Sequence, residues 1–240
     1  MVAATDIGQR LRGIEARLAA ACARAGRRRA EVTLIGASKM QPVAALRQAW
    51  DAGLRTFGEN RVQEALAKAR ELDAAIDWHL LGPLQSNKAR RAAELFSTIH
   101  SLDRVAIVEA VDRAAVRLGV VRRGFLEVNL GAEDTKHGFS ASGLLDALSR
   151  LPDLAGLELV GLMAIPPPTA DPRAARPWFR MLRELRDQVS RLAPPRGWSG
   201  ALSMGMSGDF EIAVEEGATH VRVGTSLFGP RPEPAAGDPA

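Results

Sequence analysis

Short apolar runs alternate with longer amphipathic stretches along most of this chain, the pattern of successive strand–helix units. Eight runs read as strands: Val32 to Ala37, Arg55 to Gly58, Trp78 to Gly82, Thr98 to Ser101, Gly124 to Leu130, Leu157 to Ile165, Ala201 to Met204 and His220 to Gly224. The segments between them read as helices: Pro42 to Ala52, Arg61 to Leu72, Ser86 to Leu95, Asp103 to Leu118, Ala141 to Leu151, Pro172 to Leu192 and Phe210 to Glu216. Eight strands alternating with helices predict an α/β fold, a single (β/α)8 TIM-type barrel, and 240 residues match the usual length of about 250. An extra amphipathic helix, roughly Asp6 to Arg24, precedes the first strand and is placed to cover the face that a final helix usually covers. The expected division is residues 1–30 as the N-terminal helix packed on the barrel, 31–229 as the barrel and the Pro-rich 230–240 as a disordered tail.

Composition narrows the class without naming a function. Hydrophobic residues at 46% and charged residues at 25% suit a globular protein with a full core. The net charge of +4 raises nucleic acid as a partner, but the basic residues are spread among acids. The one dense group, Arg24 with Arg27, Arg28 and Arg29, falls where a helix ends and complements its dipole. There is no zinc-ligand spacing and no aromatic-rich basic stretch, so no nucleic-acid partner and no metal are expected. Cys22 is the only cysteine, which excludes an internal disulfide; no signal segment opens the chain and no apolar run nears the roughly 18 residues of a membrane span. A cytoplasmic monomer without membrane contact is the expectation.

Lys39 changes this picture. Only four of the 32 basic residues are lysines, and Lys39 closes the apolar run Val32-Thr-Leu-Ile-Gly-Ala-Ser-Lys39. Arginine cannot serve as an amine nucleophile, whereas a lysine desolvated at a strand end can lose its proton and condense with an aldehyde. The aldehyde this suggests is pyridoxal phosphate (PLP). Ser203-Met-Gly-Met-Ser-Gly208 and Arg222-Val-Gly-Thr-Ser-Leu-Phe-Gly229 supply glycine and hydroxyl turns suited to a phosphate. In a closed barrel these turns neighbour the end of the first strand. The plainer readings are a lysine snorkelling to solvent, ordinary turn glycines, an Arg222 salt bridge at the surface, and a Ser207 that caps the helix running to Glu216. Glu59-Asn60, His79 and Asn129 also fall at or near strand ends. His79 and His137 read as local hydrogen-bonding residues, His100 and His220 have no motif around them, none is given a functional role, and the tryptophans read as packing.

A set of ordered blocks then points to a family. Ala37-Ser-Lys39 with Pro42, Phe57-Gly-Glu-Asn60 with Val62-Gln-Glu64, and Trp78-His-Leu-Leu-Gly-Pro-Leu-Gln-Ser-Asn-Lys88 are joined by Asn129 with Lys136-His-Gly138 and by Gly161-Leu-Met-Ala-Ile-Pro166. Leu202-Ser-Met-Gly-Met-Ser207 and Val221-Arg-Val-Gly-Thr225 with Phe228-Gly229 complete the series. From about Val32 to Arg231 the chain resembles the pyridoxal phosphate homeostasis proteins, related to the barrel domain of alanine racemase. The resemblance implies a PLP fold type III-like barrel in which Lys39 holds PLP as a Schiff base and Arg222 meets the pyridine nitrogen. It further implies that Ser207, Gly224 and Thr225 hold the phosphate, with Asn60 beside the ring. At Met40-Gln41 the chain departs from the family, which more often has a polar residue and a second lysine there, so no exchange role of that lysine is carried over.

Related barrel enzymes need a second acid–base group opposite the lysine, typically tyrosine or cysteine. This chain has no tyrosine, and Cys22 lies in the leading helix. The reading is therefore a PLP binder without efficient turnover, acting in PLP homeostasis and amino-acid and keto-acid balance, with PLP-dependent apo-enzymes as possible recipients. A small PLP-dependent racemase is the alternative, and a Schiff-base aldolase acting on a phosphorylated sugar is a third class.

Overall fold

The computed structural model describes residues 6–72, 74–131, 137–167, 169–192 and 194–230. Lys136 of the Lys136-His-Gly block and the expected tail beyond Pro230 lie outside these residues. The strands are β1 (Thr33–Ala37), β2 (Thr56–Glu59), β3 (Asp77–Leu80), β4 (Thr98–Leu102), β5 (Arg122–Asn129), β6 (Phe139–Ser140), β7 (Leu157–Met163), β8 (Ala201–Met206) and β9 (His220–Val223). The α-helices are α1 (Ile7–Arg24), α2 (Val43–Asp51), α3 (Val62–Glu71), α4 (Ala89–Leu95), α5 (Val105–Leu118), α6 (Leu144–Ser149), α7 (Arg176–Leu192), α8 (Phe210–Glu215) and α9 (Thr225–Phe228).

Hydrogen-bonded neighbours run β4-β3-β2-β1-β9-β8-β7-β5, and a further β4–β5 pairing closes the ring. Every pairing is parallel, so the expected eight-stranded barrel is present. The two-residue β6 runs beside the end of β5, pairing Val128 with Phe139, and is too short to leave a periodic signal. Two expected helices open as 3-10 turns, Ser86–Lys88 before α4 and Pro172–Ala175 before α7. At the second, Pro172 follows Asp171, whose side chain accepts from the Arg173 amide at 2.9 Å.

The main core lies between the outer strand faces and the helices, with Phe57, Phe96, Phe179 and Phe210 shielded from solvent. Helix α1 belongs to that core. Asp6 caps it by accepting from the Gly8 amide at 2.9 Å, and its buried residues Ile7, Leu11, Ile14, Leu18, Ala21 and Cys22 recur at helical spacing along one face. That face packs on α8, α9 and α2. Because α9 is a single turn, α1 covers the seam that a longer last helix would cover. Its arginines bind across the same seam: Arg17 meets Glu211 at 2.6 Å, Arg24 meets Glu215 at 2.9 Å, and Arg27 donates to the carbonyls of Val214 and Ala218 at 3.0 and 2.7 Å. The basic cluster at the helix end is thus engaged within the fold.

If α1 is part of the core, deleting the solvent-inaccessible Leu18 side chain leaves a cavity. Leu18→Ala is expected to lower unfolding free energy by about 2–5 kcal/mol, read from urea titration. A loss under about 0.5 kcal/mol would show α1 to be a peripheral attachment.

Candidate cofactor site

The C-terminal ends of the strands gather the candidate residues on one face, as parallel barrels do. After β1 the chain turns through Ser38, Lys39 and Met40, and both flanks of the half-buried Lys39 are anchored. The Ser38 amide donates to the Gly58 carbonyl at 2.9 Å and its hydroxyl donates to Glu59 at 2.7 Å. The Met40 amide donates to Glu64 at 2.6 Å, and the Gln41 amide returns to the Ser38 carbonyl at 3.0 Å. Met40 has φ of +60°, a conformation that costs a non-glycine residue about 1 kcal/mol or more and that these bonds maintain.

Lys68 sits behind this turn. Its Nζ donates to the Ser38 carbonyl at 2.8 Å and to Glu59 and Glu64 at 2.7 Å each. Glu59 is buried, which pushes its carboxyl pKa up, while Lys68 pulls against that shift. Lys68 is one of only four lysines and lies four residues after Glu64 on α3, a sequence cue that its placement behind Ser38 makes meaningful.

The second half of the site is built by β8 and β9. β1 pairs with β9, setting Gly36 beside Val223, so Gly224 reaches the end of β1. A Cβ on Gly224 would stand 3.2 Å from the Ala37 carbonyl, two residues before Lys39. Ser207 does not cap α8 as one reading had it; Asp209 occupies the N-cap, and its side chain accepts from the Met206 amide at 2.6 Å. Ser207 Oγ instead accepts from the amides of Gly224 and Ser226, both at 3.3 Å. The register explains the change, since the β8–β9 pairing slips between Ser203 and Met206 and turns Ser207 toward the start of α9. Two amides converging on one oxygen, with the exposed Thr225 between them in sequence, form a donor set that suits a phosphate.

Asn60 follows β2 and is set against Gly82. A Cβ at Gly82 would come within 2.4 Å of the Asn60 carbonyl, so only glycine admits this approach. Asn60, Lys88, Arg104 and His137 line a cleft of about 460 Å³ on the same barrel face. His137 contacts Asp103 at 3.4 Å, which agrees with a local role.

Arg222 departs furthest from its plainer reading. It is 6% exposed, and among the described residues no surface salt bridge satisfies it. Nη1 donates to the Ser203 carbonyl at 2.9 Å and to the Ser203 hydroxyl at 2.7 Å, while Nη2 donates to the Ala164 carbonyl at 3.1 Å. Burial pushes its pKa down to about 10, against the attraction of Asp209 and Glu127, so it remains a cation at neutral pH. The three bonds use three of the five N–H groups that a guanidinium carries, and a pyridine nitrogen offers the acceptor such a fork can take. The donor set therefore fits PLP at both ends, a phosphate at Ser207 and Gly224 and a ring nitrogen at Arg222.

Sequence reasoning gave no role to the histidines in the barrel interior. His79 Nδ1 lies 2.9 Å from His100 Nε2, and His100 Nδ1 lies 2.8 Å from the Ser203 hydroxyl. The His100 ring stacks on Phe125 at 4.5 Å, and His220 meets Phe125 edge-on at 4.9 Å. Burial pushes His220 down to about 3 and His100 well below its ordinary value. Both are neutral at pH 7. Among the described residues no group of three or more His, Cys, Asp or Glu is placed to hold a metal, and no helix is long and apolar enough to cross a membrane.

Residues 14–232 match the family described as alanine racemase, N-terminal domain. The chain is 43% identical over 227 residues to a pyridoxal phosphate homeostasis protein from Aquifex aeolicus, covering 93% of this chain and 97% of that one. A protein of the same name from Pseudomonas aeruginosa is 43% identical over 228 residues, with 95% and 96% covered. The structure of PipY from Synechococcus elongatus PCC7942 with PLP bound is similar at a TM-score of 0.82 and 41% identity, over 93% of this chain and 100% of that one.

Glu127, on the same face of β5 as Phe125, gives the site its own pH signature. Burial, together with the charge of Asp103, pushes its pKa up from 4.5 to about 7, against Arg222. A raised folded pKa contributes stability that is complete below about pH 4.5 and is lost as pH rises through about 7. Glu127→Gln removes this titration. The variant is expected to gain on the native chain by up to about 3 kcal/mol between pH 5 and pH 8, read from urea midpoints. A stability difference independent of pH would show that Glu127 titrates as an ordinary carboxylate.

Proposed function

Since the chain belongs to the alanine racemase N-terminal domain family, and within it to the pyridoxal phosphate homeostasis proteins, we propose that it holds PLP at the barrel mouth and acts in intracellular PLP homeostasis. The observation that carries the reading is the meeting of two halves: the anchored Lys39 turn touches the Gly224 turn at Ala37, beside a buried arginine. Lys39 would be the covalent anchor, holding PLP through its Nζ at the aldehyde carbon. Ser207, Gly224 and Thr225 bind the phosphate, Arg222 faces the ring nitrogen, and Asn60 lies beside the ring. The protein works as a cytoplasmic monomer, one barrel with α1 packed on it, and passes PLP to apo-enzymes, with effects on amino-acid and keto-acid balance.

When bound, PLP supplies an electrophilic carbon and an electron-withdrawing ring. Arg222 keeps the ring nitrogen unprotonated, because a group with a pKa of about 10 donates a hydrogen bond without giving up its proton. That weakens the electron sink which turnover requires. The chain has no tyrosine, and Cys22 is buried in α1. The racemase alternative keeps one support, Glu127, whose near-neutral carboxyl at the site is matched to proton exchange.

Borohydride reduction of the PLP-loaded protein, followed by peptide mass spectrometry, is expected to place the adduct on Lys39. An adduct confined to Lys68, Lys88 or Lys136 would overturn the anchor. Thr225→Val, at an exposed position, is expected to weaken PLP binding about tenfold to a hundredfold without lowering stability, since a hydrogen bond to a charged group contributes about 1.5–3 kcal/mol. Unchanged affinity would place the phosphate elsewhere.

Mixing the loaded protein with an apo-aminotransferase is expected to restore that enzyme's activity, with no racemisation or decarboxylation of the common amino acids by the protein itself. Turnover near the enzyme median of about 10 per second, abolished in Glu127→Gln, would establish the racemase reading in its place.

A further inference from the structure

The buried groups beneath Arg222 form a continuous line through the barrel. It runs from Arg222 on β9 to Ser203 on β8, His100 on β4, His79 on β3 and Asp77 at the start of β3. Successive distances are 2.7, 2.8, 2.9 and 3.2 Å. Asp77 is partly exposed at the far end of the barrel and also accepts from the Ser97 hydroxyl.

The donors in this line can form an unbroken relay in one order. A guanidinium has only N–H groups, so the Ser203 oxygen accepts from Arg222 and its own hydrogen points to His100 Nδ1. His100 is neutral, held so chiefly by burial and further by the cations Arg222 and Arg123. Its proton is therefore on Nε2 and donates to His79 Nδ1. His79 then carries its proton on Nε2 and donates to Asp77, whose pKa falls to about 2, chiefly through that bond. Every hydrogen points from the cation at the mouth to the carboxylate at the opposite end. In the reverse order Ser203 would accept from both Arg222 and His100, and its own hydrogen would lie outside the line.

We infer that His79 and His100 are positioning residues that lock Ser203 as an acceptor and thereby fix the guanidinium plane of Arg222 toward the ring-nitrogen end of the cofactor site. The inference rests on the proposed placement of the ring nitrogen at Arg222. Bonds aligned from cation to anion polarise one another, which gives the array a cooperative preference for this single arrangement. The barrels of this class ordinarily fill their interior with branched apolar side chains, and those would hold no such orientation.

Two measurements test it. Nitrogen-15 NMR of the histidine-labelled full-length protein is expected to show His79 and His100 both neutral with the proton on Nε2; an Nδ1–H form of either overturns the inference. The second measurement is the ratio of affinities for PLP and its 1-deaza analogue, which lacks the ring nitrogen. The native chain is expected to prefer PLP, and Arg222→Leu to abolish the preference, with Arg222→Met, which also lacks a donor, as the variant to use if the first fails to fold. His100→Phe, which keeps the ring stacked on Phe125, is expected to reduce the preference about fivefold to tenfold, the worth of roughly one hydrogen bond. His100→Asn, with an amide oxygen near the Nδ1 position, is expected to restore it. Preference lost in the Arg222 variant but intact in His100→Phe overturns this inference alone. Preference intact in the Arg222 variant overturns the ring-nitrogen reading and the inference with it.

Discussion

A guanidinium enclosed in the barrel is the constraint around which the site is built. An unpaired buried cation would cost several kcal/mol, so Arg222 requires acceptors fixed at short range. The carbonyls of Ser203 and Ala164 provide them at 2.9 and 3.1 Å, and they come from two strand ends that must stay in register with β9. The slip in the β8–β9 pairing after Ser203 accommodates this demand and carries Ser207 over the start of α9. A single electrostatic requirement thus couples the interior of the barrel to the turn that suits a phosphate.

The opposite side of the site answers with a different device. Lys68 and Glu59, both buried, and the half-buried Glu64 form an ionic platform that holds the backbone on both sides of Lys39. Removing one member of such a group leaves the others uncompensated at a cost of about 3–5 kcal/mol, so the platform binds the turn firmly to α3 and β2. The lysine is presented on this support, and the chain has no tyrosine and a single cysteine, Cys22, buried in α1. A firmly held strand-end lysine is what the proposed retention of PLP requires.

Much of this was legible in the sequence, for identifiable reasons. The barrel strands announced themselves because each is a short apolar run between amphipathic helices, as with Leu157–Met163 ahead of Arg176–Leu192. The candidate site residues could be grouped on one face because strand ends converge in any parallel barrel. What stayed hidden depends on register. Whether Arg222 faces inward or outward is decided by its pairing with β1, and capping of α8 stood open as a reading of the Ser207 hydroxyl because its partners, Gly224 and Ser226, lie 17 and 19 residues away. His100 offered no local motif, since its meaning comes from Ser203, 103 residues later. The one-turn α9 and the two-residue β6 are too short to show a period at all.

The most direct measurement is a crystal structure of the protein grown with PLP. The account expects continuous density from Lys39 Nζ to the ring, the ring nitrogen facing Arg222, and the phosphate on Ser207, Gly224 and Thr225. Density for PLP solely in the cleft beside Arg104 and His137, with Lys39 unmodified, would contradict it.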